Sequence, residues 1–246
     1  MGANNREIEV KLRIKGDPLP FSEVVELVDR ALGAHCKGVL DGNAFDVYWH
    51  APISSAADFV RLRANGAPAV SSGPGPGGSE SIKGPGQMTI KASDRGDNLD
   101  RVEVDLEVGD TGQAQVLLGH LLGEAAGRIW KRYKVFFIGE DGGGGHGDNI
   151  SVYEVHGSSL NHAPGLSSHV YVEVEAGSRS RLADIVEALR LALPGVELEV
   201  VKTSLYELYV WGEPIKLAPL SHTLMEISRK ARGGRKKIAK KTGVAE

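Results

Sequence analysis

From Glu7 to Lys15, charged and apolar residues alternate without a break. Glu7, Glu9, Lys11, Arg13 and Lys15 fall on one phase; Ile8, Val10, Leu12 and Ile14 fall on the other. A period of two is the mark of a β-strand, because successive side chains point to opposite faces of the sheet. The same phase returns four times. Arg61 and Arg63 alternate with Val60 and Leu62. Thr89 and Lys91 flank Ile90. Arg101, Glu103, Asp105 and Glu107 alternate with Val102, Val104, Leu106 and Val108, and Glu173 and Glu175 alternate with Val172 and Val174. One such run is an ordinary solvated strand face. Five runs in phase are hard to attribute to surface drift. Two arrangements fit them: an open sheet with a wet charged face, or a closed sheet whose charged face is its lumen.

The segments between these runs fill in the other elements. Phe21, Val24, Val25, Leu27, Val28 and Leu32 predict a helix, with Ser22 as its cap and Gly33 as its stop. Residues 36–50 read as one or two strands, with Gly42-Asn43 as a candidate turn. Helices are expected at 111–122, at 180–193 (closed by Pro194-Gly195) and from 219 toward 241, where an amphipathic pattern passes into a basic run. Further strands are expected at 128–138, 150–156 and 196–201. Glycine-rich stretches at 66–86 and 139–148 read as loops. Neither has the strand-to-helix context of a phosphate cradle. The expected fold class is α+β, mainly antiparallel β, with about eight strands and a few flanking helices.

Composition narrows the class. The chain has 246 residues, 41% hydrophobic and 25% charged, as in ordinary soluble globular proteins. A single cysteine, Cys36, excludes an intrachain disulfide and fits a reducing, cytoplasmic setting. The start MGANNREIEV carries no apolar signal, and no stretch approaches a membrane span, so no membrane role is expected. The net charge of −3 is unevenly spread. Residues 229–246 hold eight Lys or Arg against one acid, a net of +7, which leaves −10 on the remainder. A contact of this tail (Arg229, Lys230, Arg232, Arg235, Lys236, Lys237, Lys240, Lys241) with nucleic acid is open, beside the simpler reading of a solvated end. A homodimer is likewise open.

Glu7-x-Glu9-x-Lys11 near the N-terminus resembles the E-x-E-x-K signature of the CYTH superfamily, the triphosphate tunnel metalloenzymes. The resemblance continues in order through Arg61-x-Arg63, Thr89-x-Lys91, Arg101-x-Glu103-x-Asp105 and Glu173-x-Glu175. Ser204, Tyr206 and Leu208 resemble its closing Ser-Tyr-x-x-Leu element. The match spans about 7–209, and suggests a tunnel domain over 1–215 followed by a C-terminal helix and basic tail over 216–246. It implies an eight-stranded closed β-barrel, a triphosphate-bearing small molecule as substrate, and Mg2+ or Mn2+. Glu7, Glu9, Glu103, Asp105, Glu173 and Glu175 would form the metal-binding patch. Lys11, Arg61, Arg63, Lys91 and Arg101 would hold phosphate oxygens, with Lys202 a further candidate. The catalytic centre would be Glu7, Glu9 and Lys11. The family's basic pair should fall within Lys131-Arg132-Tyr133-Lys134, where Arg132 and Lys134 are taken because they lie in phase. An expected aspartate is replaced by Tyr153-Glu154-Val155, so either Glu154 substitutes or that carboxylate is missing.

These residue types suit the chemistry. The planar fork of Arg binds two phosphate oxygens at once, while Lys acts as a compact charge. Carboxylates reach phosphate only through a metal, and oxygen ligands favour Mg or Mn over zinc. The implied activity is metal-dependent hydrolysis of inorganic triphosphate, a nucleoside triphosphate or thiamine triphosphate. The alternatives are an adenylyl cyclase of the class IV kind and a non-catalytic polyphosphate or nucleotide sensor. His156, His162 and His169 read as loop or strand-end residues, and Trp49, Trp130 and Trp211 as packing residues.

Overall fold

The computed structural model describes residues 5–52, 57–65, 84–94, 97–138, 148–158 and 169–230. Within these, the side chains of 5–7, 34, 93–94, 97–102 and 157–158 lie outside the description. Among the described residues, ten strands form one antiparallel sheet: β1 (Asn5–Ile14), β2 (Cys36–His50), β3 (Phe59–Asn65), β4 (Gly86–Asp94), β5 (Asp97–Val108), β6 (Gly127–Ile138), β7 (Asn149–Ser158), β8 (Val170–Ala176), β9 (Leu198–Val201) and β10 (Leu217–Pro219). Their order is β10-β9-β1-β5-β4-β3-β2-β6-β7-β8.

β1 divides its length among three partners. It pairs with β5 over 5–8, with β8 over 8–12 and with β9 over 12–14. Because β8 stands at the far end of the strand order, its pairing with β1 requires the sheet to curl back on itself. The antiparallel, sheet-dominated α+β class is as expected; the described strands form a ten-stranded, strongly curled sheet, and the eight-stranded closed barrel is not confirmed. The two extra strands, β9 and β10, extend it beyond β1.

Apolar phases face outward, against helices. α1 (Phe21–Leu32) and α3 (Arg179–Ala192) cover β1, β7 and β8. Val24, Val28, Leu182, Val186 and Leu189 pack there on Val10, Leu12, Val152, Val172 and Val174. α2 (Thr111–Leu122), capped by the Asp110 carboxylate, lays Leu118 on Phe45, Val47, Trp49, Val60 and Leu62. Two expectations change. The cap position of α1 is Pro20, whose side chain makes no capping bond, and Ser22 lies inside the helix. β2 is one continuous strand: Gly42-Asn43 is no turn, because each residue has a partner on β6. Glycine at 42 leaves room for Tyr133, whose hydroxyl would stand 3.1 Å from a Cβ there.

At one end of the curled sheet the short helix α4 (Leu205–Tyr209) is packed into a cluster of Tyr48, Phe59, Ile129, Tyr153 and Tyr171. Ser204 caps it in a complete capping box with Glu207. A fifth helix, α5 (220–230), places Leu220 and Ile227 in the α1–α3 core. No described helix is long and apolar enough to cross a membrane. The glycine-rich segments 66–83 and 139–147, His162 and the tail 231–246 lie outside the described residues.

Candidate active site

The inward phase of the sheet lines a cavity of about 400 Å³. β1 contributes Glu9 and Lys11, β3 Arg61 and Arg63, and β4 Lys91. β5 contributes Glu103 and Asp105, β6 Lys131, and β8 Glu173 and Glu175. Six strands separated in sequence thus deliver charge to one space. Period-two alternation makes this inevitable once their outer faces are buried.

The charges fall into three groups. In the first, Lys91 Nζ stands 2.9 Å from Glu103 and 3.3 Å from Glu9. Arg61 Nη2 donates to Thr89 Oγ1 at 2.8 Å and to Glu103 at 3.3 Å, and Thr89 Oγ1 in turn donates to Asp105 at 2.6 Å. The Arg61 Nε–H is buried without a hydrogen-bond partner among the described residues. A buried donor in that condition carries a desolvation cost that an entering anion would relieve.

The second group is built on Asp46, which is 0% exposed. Its carboxylate accepts from Arg63 Nε at 2.8 Å and Nη2 at 3.2 Å, lies 2.8 Å from Lys131 Nζ, and accepts from the Tyr48 hydroxyl at 3.3 Å. Burial pushes the Asp46 carboxyl up, but Arg63 and Lys131 outweigh it and hold it far below the usual range. For Lys131 burial wins, together with repulsion from Arg63, and its ammonium falls to about 8 despite Asp46. Sequence reasoning passed over Asp46. The available signal was its position two residues before Tyr48 on a strand whose other phase, Phe45, Val47 and Trp49, is wholly apolar.

The third group is acidic. One oxygen each of Glu9, Glu173 and Glu175 lies within 4.8 Å of the others. Burial, then Glu173 and Glu9, push the Glu175 carboxyl up to about 7, although Asn149 Nδ2 donates to it at 2.7 Å. Glu173 also accepts from the Tyr153 hydroxyl at 3.1 Å and faces Lys11 Nζ at 3.7 Å. Three converging carboxylates with hard oxygen donors fit a magnesium or manganese ion.

The other expected residues stand elsewhere. Arg132 and Lys134 are not among the cavity-lining residues; Lys131 and Tyr133 take that place. Arg132 is paired with Glu154 at 3.1 Å and lies over the Phe21 ring, while Lys134 lies near the Phe136 ring. Both residues are in phase with each other, but the phase is the outward one. The physical reason is the register of β6, which places Lys131 opposite Ala44 and beside buried Asp46. Tyr153 rather than Glu154 turns inward, so no carboxylate stands at that position. Lys202 is not among the lining residues; its backbone N–H bonds to the Lys216 carbonyl. Glu7 and Arg101 are register partners on β1 and β5, and their side chains lie outside the described residues.

Neither a protein-family profile nor a curated protein matches this sequence. Solved structures do. A putative adenylyl cyclase from Hippeastrum, described as having a dominant triphosphatase activity, superposes at a TM-score of 0.52 with 15% identity, covering 85% of this chain and 97% of that one. At this identity the likeness shows a shared fold alone. The PH1819 protein of Pyrococcus horikoshii shares this fold at a TM-score of 0.53 and 17% identity, over 84% and 99% of the two chains. A chain of the Schizosaccharomyces pombe Mediator head module shares it at 0.52 and 11%, over 79% and 98%. A fold found in such different settings leaves function to the site itself.

Proposed function

We propose that this chain is a metal-dependent hydrolase of triphosphate-bearing small molecules, working inside the curled sheet as a tunnel. The carrying observation is the convergence in one cavity of Lys11, Arg61, Arg63, Lys91 and Lys131 with the carboxylate trio Glu9, Glu173 and Glu175. A triphosphate carries about four negative charges near neutral pH, and a wall of preset cations complements it.

Glu9, Glu173 and Glu175 would hold the cation, Mg2+ or Mn2+, with Glu7, Glu103 and Asp105 as further candidates from the sequence. When bound, such an ion neutralises phosphate oxygens and lowers the pKa of a bound water. The chain's own residues do the remainder. Arg61 and Arg63 bind phosphate oxygens through their planar forks, and Lys11, Lys91 and Lys131 add point charges. Asp46 keeps Arg63 and Lys131 fixed, so little reorganisation is needed when the anion enters. Glu103 and Asp105 orient the attacking water. Glu9 and Lys11 are the residues without which turnover should stop.

The test is phosphate release from tripolyphosphate, ATP and thiamine triphosphate with Mg2+ and with Mn2+, with cyclic AMP measured in the ATP reactions. Phosphate release that is lost in Glu9→Gln and Lys11→Ala variants with unchanged circular dichroism supports hydrolysis. Cyclic AMP as the main product, or wild-type rates in either variant, overturns it.

A further inference from the structure

The inward phase of β7 carries no charge. Asn149, Ser151 and Tyr153 line the cavity, while Glu154, the strand's one carboxylate, is paired outside it with Arg132 at 3.1 Å. Across the register, Asn149 stands opposite Glu175, Ser151 opposite Glu173 and Tyr153 opposite Tyr171. Where β8 turns its two glutamates inward, β7 therefore meets them with neutral hydrogen-bonding groups.

Those groups are used, and they are held in place. The Tyr153 hydroxyl donates to Glu173 Oε2 at 3.1 Å, one step diagonal to the register. Asn149 Nδ2 donates to Glu175 Oε2 at 2.7 Å. Ser151 Oγ donates to Asn149 Oδ1 at 3.2 Å, which turns the donor side of that amide toward Glu175. The Tyr153 ring is buried, lies 5.5 Å from the Tyr171 ring and has Lys131 Nζ 5.6 Å from its centroid. From the β1 side Lys11 faces the same oxygen of Glu173 at 3.7 Å, and Glu9 is the register partner of Glu175.

Three carboxylates this close repel one another, so each tends to swing away from the point where they converge. A cation on β7 would restrain them but would also cancel the charge that a divalent ion needs. A hydroxyl and an amide restrain them and leave that charge in place. We propose that β7 is the positioning strand of the cation site: Tyr153 and Asn149 each hold one β8 glutamate by its Oε2, and so set how tightly the cavity binds a divalent ion. Ser151 acts one step back, by orienting the amide. This rests on the reading of Glu9, Glu173 and Glu175 as the cation's ligands, and adds the residues that aim them. Tyr153 and Asn149 touch neither the ion nor the phosphates in this role.

The test uses the full-length chain and Mn2+ alone, with the free ion followed by electron paramagnetic resonance. Tyr153→Phe keeps the ring beneath Lys131 and removes only the hydroxyl. It and Asn149→Ala should each weaken Mn2+ binding about tenfold or more, the range for lost partners of metal-ligating side chains. Ser151→Ala should give a smaller loss, and Ser151→Thr, which keeps the hydroxyl, should restore it. Tripolyphosphate titrated in EDTA reports the wall of Arg61, Arg63, Lys91 and Lys131, and should bind all four variants as it binds the wild type. A merely structural role would move both measurements. Parallel losses in the two, or wild-type Mn2+ affinity in Tyr153→Phe and Asn149→Ala, overturn the positioning role while leaving the cation site standing. A wild-type chain that takes up no Mn2+ removes the cation reading, and this role with it. The expected split in a chain that releases no phosphate supports the role and counts against the hydrolase reading.

Discussion

Asp46 shows what a single buried charge does in this cavity. It has no contact with solvent and accepts from Arg63 through two nitrogens. Removing its charge leaves two buried cations facing each other. Asp46→Asn should destabilise the fold by about 3–5 kcal/mol, the range for breaking a buried pair on one side. Urea unfolding measures this, and an unchanged midpoint would show that Arg63 and Lys131 find other partners. Lys131 supplies a pH signature. Its proton is held less tightly in the folded chain, at about 8, than at the ordinary 10.5. The unfolded chain therefore binds more protons between those values, and this group's contribution to stability rises with pH across that window. Wild-type stability minus that of Lys131→Met should climb between those two pH values, by no more than about 3 kcal/mol. A flat difference would contradict the burial cause.

At the scale of elements, β6 and α4 are the informative ones. Strand alternation assigns Lys131 to the cavity and Arg132 and Lys134 to the outside. Lys131→Ala should weaken triphosphate binding about tenfold or more, as for a lost hydrogen bond to a charged group. Arg132→Ala and Lys134→Ala should leave it nearly unchanged. Calorimetric titration with tripolyphosphate separates the two registers, and equal losses in all three variants would restore the pair expected from the sequence. α4 is only five residues long, and its formation leans on the Ser204–Glu207 capping box. Ser204→Ala should cost about 1 kcal/mol. Since α4 closes the buried end of the cavity, its loosening should appear as faster amide exchange at Tyr206 and Tyr209.

At the scale of the whole molecule, an acidic body carries a strongly basic end, +7 over 229–246 against −10 elsewhere. The cavity is built from β1 to β8 and lies between Glu9 and Tyr206, so it includes no residue of that end. Deleting 231–246 should leave triphosphate turnover intact and remove any salt-dependent mobility shift with nucleic acid. A loss of turnover on deletion would tie the tail to the site. Under the proposed metal-dependent hydrolysis at Glu9, Glu173 and Glu175, chelation by EDTA should abolish phosphate release and restoration of Mg2+ or Mn2+ should recover it.

The sequence by itself determined the strands and their two faces, because a period of two is a local property of the chain. That sufficed for Glu9, Lys11, Arg61, Arg63, Lys91, Glu103, Asp105, Glu173 and Glu175, whose neighbours on the opposite phase are apolar. It could not settle 131–134, where charge appears on both phases and periodicity gives no direction. There the tertiary structure decided, through the pairing of β6 with β2 and the countercharge of Asp46. The convergence of Glu9, Glu173 and Glu175 on one point was also beyond local reading. It depends on which strands stand side by side around the curl, and that is fixed only when β1 meets β8.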